Sequence, residues 1–143
     1  IYGMITMALV YLTRRMHFSA SHRLHSDLLS EQENQNIYGL CNNPLGHGHN
    51  YELDVTIKGE PDPVTGMVID LKDLKSIVQV EIIDKVDHKH LNFDVDFMSG
   101  IVPTAENIVI AFWKQLDGQL PNGELHELVL YETPRNSASY KGE

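Results

Sequence analysis

Residues 41 to 50, Cys-Asn-Asn-Pro-Leu-Gly-His-Gly-His-Asn, bring together side chains that could bind a metal and carry out chemistry. His47 and His49 are separated by one residue, so on a β-strand both side chains point to the same face and can bind one metal ion. Gly46 and Gly48 beside them let a backbone or a ligand approach closely. A half-exposed polar pair on a strand has the same spacing, so the residues alone leave both interpretations open.

A catalytic zinc site has three protein ligands and an open position for water or substrate. His22, or alternatively His25, could supply the third neutral imidazole. The chain has eight histidines, so accidental partners are available and spacing does not choose among them. The sequence therefore suggests a zinc site built on His47 and His49, with the third ligand open at this point.

Cys41 is the one cysteine of the chain and lies a few residues before the histidine pair. A single cysteine can be a small buried core residue, but the neighbouring Asn42, Asn43 and Pro44 are typical of a loop. A metal cation or an imidazolium nearby would favour the thiolate, which could then act as a nucleophile or a base. A catalytic role and a structural role both stay open for Cys41.

Two further places carry groups that could take part in chemistry. Asp87 precedes His88, and a carboxylate beside an imidazole can relay protons, although such a polar string is also typical of a solvated loop. Glu132 ends an apolar segment, and a carboxylate at a pocket floor is suited to the paired N–H groups of a guanidine-like ring edge. An ordinary charge at a strand end is the alternative for Glu132.

The hydrophobic pattern predicts the elements that position these residues. Alternation of apolar and polar residues predicts strands at 4–24, 47–59, 67–69, 125–131 and 137–140. It places Phe18 and His22 on one face of the first strand, and Tyr51 with His47 and His49 on the apolar face of the second. Three- and four-residue spacing predicts one amphipathic helix capped by Asp70 and another that starts at Pro103 and Thr104 and ends at 121–123. Ser30 and Glu33 have the spacing of a capping box and predict a short helix. Residues 87–96 are predicted to form a loop.

Strands first, two helices in the middle and strands last indicate an α+β fold, an antiparallel sheet with two helices on one face. With 143 residues, the chain is expected to form a single domain over residues 1–143. The edges of such an open sheet need cover, and pairing between subunits provides it, so we expect a homo-oligomer.

Composition excludes several classes of protein. One cysteine cannot form an intramolecular disulfide or a four-thiolate zinc site. Twenty acidic against 11 basic residues, a net charge of −9, argue against a nucleic-acid-binding protein. No segment approaches the roughly 20 apolar residues that cross a membrane, and the charges follow rather than precede the apolar residues 1–12, unlike a secretory signal. We therefore expect a soluble, cytoplasmic protein.

A set of motifs along the chain resembles the animal 6-pyruvoyl tetrahydropterin synthases. The matching segments are 18–24, 41–44, 46–51, 62–67, 74–75, 87–89, Thr104, 106–107, 131–133 and 140–143. They occur in the same order as in the family and cover nearly the whole chain after Phe18, whereas residues 1–15 match poorly. Together these motifs are specific, although no single one would be.

The resemblance implies an enzyme of tetrahydrobiopterin synthesis. Such an enzyme converts 7,8-dihydroneopterin triphosphate to 6-pyruvoyl tetrahydropterin and eliminates triphosphate. It also implies the tunnel-shaped pterin fold, in which sheets from three subunits close a barrel and two trimers stack into a homohexamer with active sites between subunits.

Roles for nine residues follow from the same resemblance. They are the zinc ligands His22, His47 and His49, the proton-abstracting base Cys41, the proton relay Asp87 and His88, the pterin anchor Glu132, and the pocket-lining Thr104 and Glu106. Zinc would polarise the substrate hydroxyls so that the thiolate can take a proton from the adjacent carbon. Ala105 departs from the family, since many relatives have a second threonine there.

Two alternatives remain beside this function. The 6-carboxy-tetrahydropterin synthases share the fold and the zinc ligands, but three residues usually separate their cysteine from the His-Gly-His motif. Here the five residues 42–46 separate Cys41 from His47, which favours the pyruvoyl enzyme. A non-catalytic zinc or pterin-binding module would not need Cys41, Asp87 and His88 together.

Overall fold

A computed structural model of the chain describes residues 8–143. The strands are β1 Val10–His22, β2 His47–Gly59, β3 Lys89–His90, β4 Glu124–Thr133 and β5 Asn136–Tyr140. The helices are α1 Glu31–Tyr38, α2 Leu71–Val78 and α3 Ala105–Leu116. The α+β class predicted from the sequence is confirmed, and within these residues the sheet is open.

The five strands form one sheet in the order β3-β1-β2-β4-β5. All neighbours are antiparallel except β1 and β3, which run parallel. The sheet is therefore mixed: the predicted antiparallel pairing holds among β1, β2, β4 and β5, whereas β3 adds a parallel edge strand within 87–96, a stretch predicted to form a loop. A two-residue strand is too short to show the alternation from which strands are predicted.

The core lies between α2, α3 and one face of the sheet. Alternate residues of β1 and β2 are buried there, as the sequence predicted for Phe18 and for the Tyr51 side of β2. The rings of Phe18 and Tyr51 stack with centroids 4.8 Å apart, and Phe112 from α3 meets Phe18 edge-on at 5.7 Å. This packing holds β1 and β2 together at the end where both carry histidines.

The predicted helices are present, with changes at their ends. Asp70 caps α2 by accepting a hydrogen bond from the Lys72 N–H at 2.9 Å, and Leu71, the first residue of the helix, is 45% exposed. After α2 the chain stays helical through the π-helical turn Gln79–Ile83 and the last turn Asp84–Val86. The capping box of Ser30 and Glu33 at the start of α1 is confirmed.

Three predicted boundaries differ from the structure. α3 ends at Leu116 rather than at 121–123, because Gly118 then takes a positive φ of 81°. Residues 67–69 are irregular, with bends at 68 and 69, rather than a strand, since Met67 closes the preceding turn by accepting the Asp62 N–H through its carbonyl. Strand β1 ends at His22, two residues earlier than predicted, and residues 4–7 of the prediction lie outside the described residues.

No helix among residues 8–143 is long and apolar enough to cross a membrane.

Candidate metal centre and active site

Three histidines meet where β1 ends and β2 begins. In the antiparallel register His22 lies opposite His47, and His49 lies opposite Ala20. Since residues two apart on a strand share a face, all three imidazoles lie on the core side of the sheet. One ligand atom from each lies within 4.8 Å of the others, which is a group positioned to bind a metal ion. We call His22, His47 and His49 the histidine triad.

Hydrogen bonding determines which ring nitrogen of His22 is available to a metal. His22 is 1% exposed, and its Nδ1–H donates to the Pro103 carbonyl at 2.8 Å. The proton on Nδ1 leaves the lone pair on Nε2, the arrangement usual for metal-binding histidines. Within the described residues, the buried Nε2 atoms of His22 and His49 have no hydrogen-bond partner. Two buried ring nitrogens without hydrogen-bond partners, close together, fit a metal ion.

Burial favours the neutral, metal-binding form of two triad histidines, His22 and His49. Burial lowers the pKa of His22, although the Pro103 carbonyl and the Glu132 carboxylate act in the opposite direction. Burial also lowers the pKa of His49, again against the attraction of Glu132. Neutral imidazoles need not lose a proton before they coordinate a cation.

The alternative third ligand, His25, lies outside the triad. Its Nδ1 accepts a hydrogen bond from the Asn42 side-chain amide at 3.1 Å, and its Nε2 is 3.5 Å from Asp27. The geometry therefore favours His22 over His25 as the third ligand.

Glu132 and Tyr51 lie beside the triad. A carboxylate oxygen of Glu132 is 3.6 Å from His49 Nε2. Tyr51, fully buried, places its hydroxyl 3.4 Å from His22 Nδ1. Burial, followed by the charge of Glu132, raises the pKa of Tyr51, so the phenol stays protonated. Sequence reasoning did not single out Tyr51 as a site residue, although its position two residues after His49 was the available signal.

Asp87 and His88 form a pair at the β1–β3 edge of the sheet. Asp87 accepts the Ser19 N–H at 2.9 Å, and its other oxygen is 3.0 Å from His88 Nδ1. The Ser19 N–H, and after it His88, hold the pKa of Asp87 below its usual range. His88 has a positive φ of 60°, an uncommon conformation for a residue with a side chain, and its ring is 83% exposed.

A shallow cavity of about 500 Å³ lies next to His88. Its lining includes His49, His88, His90, Ser19 and Asn50. Ser19 and Asn50 belong to the face of the sheet opposite the triad, so this cavity opens mainly on that outer face.

Cys41 is half-buried in the short turn Gly39–Asn42, which we call the cysteine turn. Among residues 8–143 its thiol makes no hydrogen bond to Asp87 or His88, and it is not a member of the metal-binding group. One chain thus brings Glu132 next to the triad but does not bring Cys41 into contact with its predicted relay.

Thr104 and Glu106 lie at the start of α3. The Thr104 hydroxyl accepts the Asn107 N–H at 3.2 Å and caps the helix, while Glu106 is exposed in the first turn. Thr104 directly follows Pro103, whose carbonyl binds His22, so this segment lies beside the triad. The role of Pro103 could not be found from sequence, because every residue has a backbone carbonyl.

Comparison with known proteins adds an independent observation. The family model described as 6-pyruvoyl tetrahydropterin synthase matches residues 11–143. The human 6-pyruvoyl tetrahydrobiopterin synthase is 48% identical over 132 residues, which cover 92% of this chain and 91% of the relative. The solved 6-pyruvoyl tetrahydropterin synthase of Caenorhabditis elegans is 43% identical, with a TM-score of 0.92 over 98% of this chain and 100% of that one.

A weaker relative bears on the alternative activity. A putative 6-carboxy-5,6,7,8-tetrahydropterin synthase of Archaeoglobus fulgidus is 40% identical over 70 residues, 49% of this chain and 55% of the relative. The fold and the site define a single-sheet α+β protein with three histidines positioned to bind a metal. The family model matches residues 11–143, and the human relative covers 92% of the chain. The chain therefore belongs to the 6-pyruvoyl tetrahydropterin synthase family, as its motifs predicted.

Proposed function

We propose that the chain is a zinc-dependent lyase of tetrahydrobiopterin biosynthesis. Its reaction is the conversion of 7,8-dihydroneopterin triphosphate to 6-pyruvoyl tetrahydropterin with elimination of triphosphate. The observation that supports this proposal best is the histidine triad, with two buried Nε2 atoms lacking partners beside Glu132, in a chain of this family.

The triad residues His22, His47 and His49 would hold the zinc ion. When bound, zinc supplies a Lewis acid that polarises substrate hydroxyls and makes the neighbouring C–H more acidic. The Nδ1–H···O hydrogen bond from His22 to Pro103 keeps that ring oriented for coordination.

Glu132 would anchor the pterin ring. Its carboxylate is partly exposed and lies 3.6 Å from His49, so it can accept the paired N–H groups of the pterin edge next to the metal. Glu106, exposed on the first turn of α3, and Thr104 would line the same pocket. The Thr104 hydroxyl caps α3 as an acceptor, which leaves its own O–H hydrogen available to donate to a ligand.

Cys41 would remove the proton. Its Sγ, as thiolate, accepts a proton from a side-chain carbon of the substrate, and the triphosphate leaves the neighbouring carbon with the electrons of the broken C–O bond. Asp87 and His88 would hold that proton and return it to carbon during the internal rearrangement. The Asp87 contact orients the His88 ring through Nδ1, which leaves Nε2 free for proton transfer.

We propose further that the active enzyme is a cytoplasmic homohexamer, a dimer of trimers whose sheets join into barrels. The unclosed five-stranded sheet offers β5 as an edge for pairing with another copy. The absence of a hydrogen bond between Cys41 and His88 within residues 8–143 fits a site to which two subunits contribute.

Triphosphate release from purified, zinc-loaded protein given 7,8-dihydroneopterin triphosphate tests the activity. We expect stoichiometric release from the wild type and a loss of about 10²–10⁴-fold in Cys41→Ala with unchanged zinc content. Unchanged release in Cys41→Ala would remove the thiol from the mechanism. No release from the wild type would favour a non-catalytic zinc or pterin-binding module.

Mixing two inactive variants tests whether the site is shared. Cys41→Ala and His88→Ala, unfolded and refolded together in equal amounts, should regain about a quarter of wild-type activity, since about one interface in four then pairs two intact residues. The same variants mixed without refolding are the control and should stay inactive. Failure of the refolded mixture to regain activity, with its hexamer intact, would contradict a shared site.

A further inference from the structure

The cysteine turn is tied to the end of β1 through a buried asparagine. Asn42 is 6% exposed, and its side-chain amide donates to the Leu24 carbonyl at 2.8 Å and to His25 Nδ1 at 3.1 Å. A primary amide has two N–H hydrogens, so both are used. A buried side chain with both donors engaged holds one position, because moving it would leave donors and acceptors without partners.

The backbone on either side of Asn42 is bound to the same segment. The Arg23 guanidinium donates to the Asn42 carbonyl at 3.0 Å, and the Leu24 N–H donates to the Cys41 carbonyl at 2.9 Å. All of these contacts reach the three residues that directly follow His22. The cysteine turn is therefore positioned relative to a triad histidine by the segment next to it in sequence.

The hydrogen bond that His25 Nδ1 accepts from Asn42 also fixes the tautomer of His25. With its Nδ1 lone pair occupied, the neutral ring carries its proton on Nε2, which is 3.5 Å from the Asp27 carboxylate. His25 thus serves as an acceptor for Asn42, a use that explains why a histidine outside the triad points into this region.

We propose that Asn42 is a positioning residue that holds the Cys41 thiol in register with the histidine triad, and that His25 supports it. This inference rests on the proposed function, in which Cys41 is the base. A base misplaced by about 1 Å can cost about 100-fold in rate, so a residue that fixes its turn affects the chemical step rather than substrate binding.

Asn34 provides a matched control from the same connection. It is 0% exposed, and its amide donates to the carbonyls of Ser26 and Ser30 at 3.0 Å. Its contacts organise the start of α1 and do not reach the cysteine turn. Asn34→Ala therefore removes an equally buried asparagine without releasing Cys41.

The test compares Asn42→Ala, His25→Phe and Asn34→Ala with the wild type as zinc-loaded proteins. Three quantities are measured: zinc per chain, kcat and KM for 7,8-dihydroneopterin triphosphate, and the rate at which iodoacetamide alkylates Cys41 without substrate. For Asn42→Ala we expect wild-type zinc content, a kcat lower by about 10–100-fold with KM within about twofold, and faster alkylation. His25→Phe should change kcat and alkylation in the same directions but less, and Asn34→Ala should change neither.

Wild-type kcat and alkylation in a folded Asn42→Ala would overturn the proposal, as would an equal loss of kcat in Asn34→Ala. If Asn42→Ala does not fold, His25→Phe decides, and wild-type values there would overturn it. A wild type without turnover would contradict the proposed function instead. The alkylation rates would still report whether Asn42 positions the thiol.

Discussion

Returning zinc to metal-free protein should raise its thermal stability by a predictable amount. In the structure, Nε2 of His22 and Nε2 of His49 are buried ring nitrogens without hydrogen-bond partners among the described residues. Each such group costs about 1–3 kcal/mol, so a metal that satisfies both should contribute about 2–6 kcal/mol. At about 3 °C per kcal/mol for a chain of 143 residues, Tm should rise by about 6–18 °C.

The assay follows the unfolding of chelator-treated protein by circular dichroism, with and without one equivalent of zinc per chain. His22→Ala removes one triad histidine and with it one of the two buried nitrogens without a partner, so it should keep about half of the zinc-dependent rise in Tm or less. His17→Ala is the matched control, because His17 lies on the same strand but on the exposed, opposite face. It should show the full shift.

No rise in Tm on adding zinc would refute this account of the triad. So would an equal rise in His22→Ala, since the zinc would then bind elsewhere.

Two further predictions concern the backbone and a charge near the site. Gly46→Ala and Gly66→Ala should each lose about 1–2 kcal/mol, because both positions have a positive φ, of 76° and 74°. Only Gly46→Ala should also lose zinc, because its Cβ would lie 2.7 Å from the His22 carbonyl, whereas nothing lies within 4 Å of a Cβ at Gly66; equal zinc contents would contradict this. Asp87→Asn should lower the urea midpoint at pH 7, and the difference from wild type should shrink as pH falls below 3.8, the usual pKa of this carboxyl. The pKa of Asp87 is depressed in the folded protein. Its stabilisation is therefore fully present above the unfolded pKa and is lost as pH falls through the folded pKa. A difference as large at pH 3 as at pH 7 would contradict the assignment.

Much of the site was predictable because it lies on regular strands. The alternation of β2 placed His47 and His49 on the core side, and the bounds His47–Gly59 agree with the prediction. The pattern of β1 put His22 on the same side as Phe18. Period-two alternation fixes a face without any knowledge of tertiary contacts, so three histidines could be assigned to one side of the sheet.

What could not be predicted depends on contacts between distant segments. The carbonyl of Pro103 that orients His22 carries no side-chain signal, and the two residues are 81 positions apart in the sequence. The strand β3 exists because two residues pair with the edge of β1, which no local pattern reveals. Helix α3 ends before Gly118, whose positive φ is incompatible with a continued helix. The residues 121–123 carry a stronger turn signal in the sequence, so the helix was predicted to end there.

Analysis of the product tests the central claim most directly. Zinc-loaded protein is incubated with 7,8-dihydroneopterin triphosphate, and the pterin product is identified by mass spectrometry beside the released triphosphate. We predict a product that keeps the whole three-carbon side chain as a pyruvoyl group, formed in equal amount to triphosphate and absent in Cys41→Ala. A 6-carboxy product, in which two side-chain carbons have been lost, would contradict the proposed reaction and assign the chain to the alternative activity.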